Sequence, residues 1–200
     1  MKKLLLVLAL VSMGYTNAQT RNKGTMEITP KIGSSSFYEN SEYDSSKYNS
    51  GVQFGVTADY YFNNRWSLRS GLIFDKMGGT NTDAEDKYED ILNYLSIPIN
   101  ANWHFGSTRK WNLNFGLSPS FLTKATAKYN GTSEKIPSSA IESFQLGFTY
   151  GIGYKIGITE KFGILIDAQF FNGLTNINKA TDFRVVNAGY SFNLGGVIQL

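Results

Sequence analysis

The stretch FQLGFTYGIGYKI, residues 144–156, decides the fold. Phe144, Leu146, Phe148, Tyr150, Ile152, Tyr154 and Ile156 take one set of alternate positions. Gln145, Gly147, Thr149, Gly151, Gly153 and Lys155 take the other. Successive side chains of a strand point to opposite faces, so this period of two predicts a strand with one bulky apolar face and one small polar face.

The same alternation recurs on both sides of this stretch. Val52, Phe54, Val56, Ala58, Tyr60 and Phe62 oppose Gln53, Gly55, Thr57, Asp59 and Tyr61. Trp66, Leu68, Leu72 and Phe74 oppose Arg65, Ser67, Arg69, Gly71 and Asp75, with Ile73 an exception. The segments NYLSIPINANWHF (93–105) and WNLNFGLSPSF (111–121) continue the pattern with Trp103 and Trp111 on the apolar face. Phe162 to Phe170 follows, although Leu165 and Phe171 interrupt its polar face. Ala188 to Leu200 closes the series, and Met26, Ile28, Pro30 and Ile32, opposite Glu27, Thr29 and Lys31, open it. Eight strands are expected.

Their connections alternate in length. Asn63-Asn64, 106–110 and 157–161 are short, whereas 38–50, 77–90, 123–142 and 172–184 are long and polar. An 11-residue strand tilted near 45° crosses roughly 26 Å, close to the ~25 Å apolar band of a membrane barrel. The expected fold is therefore all-β: an eight-stranded antiparallel up-and-down transmembrane β-barrel with short periplasmic turns and long extracellular loops. A soluble ligand-enclosing barrel would place the apolar face inside. Volume argues against it, because the apolar face carries three Trp and rows of Phe, Tyr, Ile and Leu, while the other face carries Gly55, Gly71, Gly116, Gly147, Gly151, Gly153, Gly189 and Gly195. An eight-stranded interior holds only a modest filling. Trp66, Trp103 and Trp111 all lie near short turns, which predicts an interfacial aromatic girdle at the periplasmic rim.

The N-terminus reads as an export signal. Lys2 and Lys3 precede an apolar run from Leu4 to Val11, and Thr16-Asn17-Ala18 offers a small-residue cleavage site. Residues 1–18 are thus expected to be a cleaved signal peptide of the general secretory pathway, and 19–200 the outer-membrane barrel domain of a Gram-negative bacterium. The run is too short to span a bilayer as a helix. With its two lysines removed, 17 basic residues face 16 acidic ones. No basic cluster provides a footprint for nucleic acid. The absence of Cys excludes disulfides, thiol chemistry and a lipidated N-terminal Cys.

The inward positions carry Lys31, Arg65, Arg69 and Lys155 against Glu27, Asp59, Asp75 and Asp167. Charges in a narrow lumen persist only when paired or hydrated, so these eight are expected to form an ionic network that plugs the barrel, with Arg69 and Asp167 near its middle. Enzyme motifs are poor. His104 is the single His, with Ser96 and Asp59 in its general surroundings, but no spacing singles out a nucleophile, base and orienting carboxylate. No catalytic residue, cofactor or metal site is expected. Asp83, Glu85, Asp86, Glu89 and Asp90 make an acidic loop whose spacing fails the EF-hand rule and reads as solvated. Tyr38, Tyr43 and Tyr48 in the first long loop suit either adhesion or packing on the rim.

The strand NYLSIPINANWHF, the segment NFGLSPSFL and the pattern GIGY at 151–154 resemble the PorT-like outer-membrane β-barrel proteins of Bacteroidota across nearly the whole mature chain. The C-terminal NLGGVIQL looks like the signal read by the barrel-assembly machinery, with Leu200 where an aromatic residue is usual. The resemblance implies a porin-like integral protein with no catalytic residues and a link, in one member, to protein secretion. The leading expectation is a non-enzymatic barrel with a side-chain-filled lumen, serving envelope structure or surface binding. Alternatives are a small-molecule transport or secretion accessory barrel and, further off, a lipid-modifying enzyme. The expected partners are outer-membrane lipids and lipopolysaccharide, and the assembly machinery during insertion.

Overall fold

The structure, a computed structural model, describes residues 21–42, 45–83 and 86–200; the expected signal peptide, 1–18, lies outside them. Eleven strands are present among the described residues. They are β1 (Met26–Ser41), β2 (Lys47–Tyr61), β3 (Trp66–Met77), β4 (Gly79–Asp83), β5 (Asp86–Ser96), β6 (Ile99–Phe105), β7 (Trp111–Tyr129), β8 (Thr132–Lys135), β9 (Phe144–Gly157), β10 (Phe162–Gly173) and β11 (Val185–Gln199). All pairings are antiparallel and all strands belong to one sheet.

Eleven rather than eight strands appear for two physical reasons. Pro98 has no N–H to give to a ladder, so the expected fourth strand is interrupted at Ile97-Pro98 and counts as β5 and β6. Both halves pair with β3 on one side and β7 on the other, which keeps them in line. In addition, two expected loops contain hairpin extensions. β4 folds back on β5, and β8 on β7, through Asn130 (φ 45°) and Gly131 (φ 89°). Positive φ at both central residues is the type I′ requirement that Asn-Gly meets at low cost.

The pairings also close on themselves. From Leu95 on β5, partners run to Phe74, Phe54, Ile32, Leu194, Ile166, Tyr154, Trp111 and finally Phe105 on β6. One circuit therefore returns to the same line ten residues further on, from 95 to 105. That stagger tilts the strands by about 40° at ordinary strand spacings.

The burial pattern follows the alternation. Phe54, Phe74, Ile152, Ile166, Phe192 and Leu194 point outward and are exposed, whereas Gln53, Asp75, Asp167, Ser191 and Asn193 point inward and are buried. Of the residues that break the pattern, Ile73, Leu165 and Phe171 are all inside. Glycine makes the narrow interior possible. A Cβ on Gly71 would stand 2.1 Å from the Val56 carbonyl and 2.7 Å from the Thr57 Cα, so the β2–β3 wall would have to open. A Cβ on outward-facing Gly196 meets only the Phe162 ring edge at 3.5 Å.

Gly71→Val is expected to cost about 1–3 kcal/mol or more through overpacking, while Gly196→Ala stays within about 0.5 kcal/mol. Urea titration of the refolded protein in lipid vesicles, followed by tryptophan fluorescence, checks this. Equal midpoints for the two variants would refute the tight inner wall.

Candidate functional site

Inside the sheet, toward the end with the short turns, lies a continuous chain of buried charges. Arg21, which precedes β1, pairs with Glu27 on β1, and Glu27 also receives Lys155 of β9. Lys155 approaches Asp59 of β2 at 3.7 Å, and Asp59 takes Arg69 of β3 at 3.1 Å. Arg69 reaches Asp167 of β10 at 3.8 Å, and Asp167 completes the series with Lys31 of β1 at 3.6 Å. Seven residues from five strands and the leading segment are thus linked across the interior, none more than 9% exposed.

The hydrogen bonds explain how the charges survive burial. The Arg69 Nε also donates to Asp59, which further accepts from Ser67 Oγ (2.9 Å) and Asn102 Nδ2 (2.8 Å). The Tyr61 hydroxyl donates to Glu27 and accepts from Lys155, each at 2.9 Å. The Tyr61 ring also lies 5.7 Å from the Arg21 guanidinium and 5.5 Å from the Lys155 ammonium, within cation–π range. A carboxylate that accepts several hydrogen bonds and two cations loses little on leaving water; one with a single partner would lose much.

Two of the eight expected network residues lie elsewhere. Arg65 is exposed in the β2–β3 turn, where its N–H binds the Asn63 side chain and its carbonyl accepts from His104 N. The turn redirects the chain before inward alternation begins at Ser67. Asp75 is buried but takes its hydrogen bond from Gln53 Nε2 and forms no ion pair among the described residues. Arg21 and Tyr61 were not anticipated. Arg21 stands before the first alternating residue, and Tyr61, placed on the inward face by the alternation, carries no charge that would mark it as a member of the network.

His104 is fully buried beside Ser67, not Ser96; Ser96 bonds Ser120 at 2.8 Å. His104 Nε2 and Ser67 Oγ are 2.9 Å apart, and the same hydroxyl donates to Asp59. Asp59 thus bonds the hydroxyl and not the imidazole, whose Nδ1 has no hydrogen-bond partner among the described residues, so no carboxylate orients the ring as a base. The three side chains form a structural chain, not a nucleophile–base–acid relay.

Toward the long-loop end the interior changes character. Phe37, Met77, Leu92, Tyr94, Ala125, Phe171 and Ile177 form a buried apolar cluster, with Leu122, Ile136, Ile141 and Val185 packed against it. Phe37 and Phe171 meet edge to face at 6.1 Å. Ile177 comes from the 174–184 connection and is held there by its N–H on Val185 O at 2.9 Å. Between the ionic and apolar layers lies a small cavity of about 50 Å3, whose lining includes Lys31, Arg69 and Asp75 as well as Phe37, Ile73 and Phe171.

On the outer surface, Trp66 lies opposite Trp103 on the neighbouring strand, with ring centroids 6.3 Å apart. The row continues through Phe105 to Trp111 (6.3 Å) and on to Tyr154 (4.8 Å). Among the described residues of the acidic loop no cluster forms: Glu89 pairs with Lys76 at 3.3 Å, and Asp86 accepts from Asn130, while Glu85 lies outside the described residues. Tyr38 and Tyr48 stack edge to face at 5.0 Å and Tyr48 meets Tyr190 at 5.7 Å, while Tyr43 lies outside the described residues.

Residues 17–179 match the family described as outer membrane protein beta-barrel domain. Among solved structures, the chain is similar to Neisserial surface protein A, NspA, with 13% identity, a TM-score of 0.54 and coverage of 88% of this chain and 99% of that one. It is similar to the outer membrane protein OprG from Pseudomonas aeruginosa, with 11% identity, a TM-score of 0.53 and coverage of 92% and 99%. The attachment invasion locus protein Ail of Yersinia pestis, solved with the heparin analogue sucrose octasulfate, gives 16% identity, a TM-score of 0.50 and coverage of 88% and 99%. No curated protein matches the chain in sequence. At these identities the structural likeness establishes the fold alone.

Removing one partner from a buried ion pair strands the other, so Asp59→Ala is expected to lose about 3–5 kcal/mol of stability. Exchanging Lys31→Met together with Asp167→Asn removes both charges at the end of the series, leaves Arg69 its contact with Asp59, and costs less. Urea midpoints in vesicles decide; an Asp59→Ala variant as stable as the native protein would dissolve the network.

Proposed function

The chain belongs to the outer membrane protein β-barrel domain family, and on that premise we propose that it is an eight-stave integral barrel whose lumen is closed and whose long loops carry its biological role. In this reading β5 and β6 form one stave, and β4 and β8 are loop extensions. The short turns face the periplasm and the long connections face outward. The tryptophan row marks the inner interface, where amphipathic rings prefer to lie. Export through the general secretory pathway, insertion by the barrel-assembly machinery and residence among lipopolysaccharide and phospholipid belong to the same proposal. So does the closer kinship with PorT-like barrels of Bacteroidota.

The observation that carries this reading is the double filling of the interior. An ionic layer braces β1, β2, β3, β9 and β10, and an apolar layer, capped by Ile177, closes the opposite end. A hydrated ion would have to break several buried pairs and then enter an apolar plug, both costly steps. A non-catalytic role is supported by the Ser67–His104 geometry, in which Asp59 bonds the hydroxyl and no carboxylate orients the imidazole Nδ1. Envelope structure or surface binding is thus preferred over solute passage.

Planar-bilayer recording of the purified protein tests the closed lumen. Insertions without steady ohmic current are expected, and a stable conductance in most insertions would overturn it. In the double variant Phe37→Ala with Phe171→Ala, brief openings should become more frequent, because the apolar layer loses two of its rings.

A further inference from the structure

Above the apolar layer, at the long-loop end, two connections come together. Glu142 N donates to Ile177 O at 2.8 Å, Lys179 N donates to Ala140 O at 2.9 Å, and Lys179 pairs with Glu142 at 3.2 Å. Between these connections and the tops of β1, β5 and β7 lies a recess of about 450 Å3, partly open to solvent. Its size falls within the range of small-molecule sites, roughly 300–1,000 Å3.

The lining is divided. Ile136, Ile141, Ile177 and Val185 provide an apolar wall, and Glu39 and Asp90 face into the same space. Glu39 is largely but not wholly buried, Asp90 is half-buried, and among the described residues neither carboxylate has an ion pair or a hydrogen bond. Among the described residues the one cation on the lining, Lys135, is exposed on β8 beside Glu134 and pairs with neither. Glu39 stands beyond the apolar band, since the outward face of β1 has already turned polar at Ser34 and Ser36. Burial, reinforced by the Asp90 charge, pushes its carboxyl up to about 8. A carboxyl left without a counter-charge in a partly enclosed site is stabilised as the anion by any cation that enters.

We propose that this recess binds an aliphatic ammonium ion, with the ammonium between Glu39 and Asp90 and the hydrocarbon stem against Ile136, Ile141, Ile177 and Val185. The charge selects for cations and the apolar wall selects for a stem, so an ammonium ion without a stem and a stem without a charge both bind less well. The site lies above the apolar layer and is reached from solvent without disturbing the lumen. It therefore stands whether or not the barrel conducts.

The test is calorimetric titration of the refolded, full-length mature chain in zwitterionic nanodiscs with hexylammonium, hexanol and hexanoate, alongside empty nanodiscs. Hexylammonium is expected to bind with one site per chain. Hexanol should bind roughly tenfold more weakly, matching the loss of a charge-assisted contact, and hexanoate more weakly still. In Glu39→Gln/Asp90→Asn, hexylammonium should fall to the level of hexanol, with heat-modified gel mobility confirming the folded barrel. Equal binding of hexylammonium and hexanol by the native chain would overturn the proposal, as would unchanged hexylammonium binding in the double variant. If the double variant does not fold, the three-ligand comparison on the native chain decides alone.

Discussion

A strand that crosses hydrocarbon can leave no backbone N–H or C=O unpaired, and the rest of this structure follows from meeting that demand. A sheet satisfies it only by joining its first strand to its last, here β1 to β11 from Glu27–Gln199 to Ser41–Val185. Closure then sorts every side chain to one of two environments. The outer one accepts Phe54, Phe74, Leu194 and Phe192 without cost. The inner one is narrow enough that Gly71 and Gly116 have neighbouring carbonyl oxygens about where a Cβ would stand. Once bulky groups are outside, whatever remains inside must satisfy its own hydrogen bonds.

The ionic chain is the answer the interior reaches at one end. Glu27 and Lys155 are separated by 128 positions in sequence yet touch, so the pair fastens opposite parts of the wall. A buried pair adds little net stability compared with apolar packing, but losing one member is costly. The arrangement thus favours one register and one cross-section over slipped alternatives. At the other end the problem is solved differently, with Phe37, Met77, Leu92, Phe171 and the loop residue Ile177 excluding water. Two layers of opposite chemistry separate the loop surface from the short-turn end.

Much of this was legible from alternation alone, because period two follows from backbone geometry and not from tertiary detail. The all-β antiparallel architecture and the outward set were readable for that reason. Strand ends were not. Where both faces of a strand are wet, nothing in the pattern distinguishes β8 from loop, and only the pairing reveals it. Ile73, Leu165 and Phe171 appeared as flaws in the polar face, yet with Met77 and Tyr94 they fill the interior. A run of such flaws at one end of several strands was the available signal for an apolar layer. Arg65 illustrates the reverse error, since parity was extended one residue into a turn where it no longer applies. Arg21 reaches Glu27 from before the first strand, a contact that spacing within strands cannot express.

The orientation of the two faces is tested most directly with the native tryptophans. Trp66, Trp103 and Trp111 lie on the outer wall near the short turns, so their fluorescence in vesicles should be quenched strongly by phospholipids brominated near the glycerol end of the acyl chain. Quenching should be weaker with bromine at the chain terminus. Fluorescence that ignores brominated lipid and yields instead to aqueous iodide would contradict an apolar face turned toward the membrane.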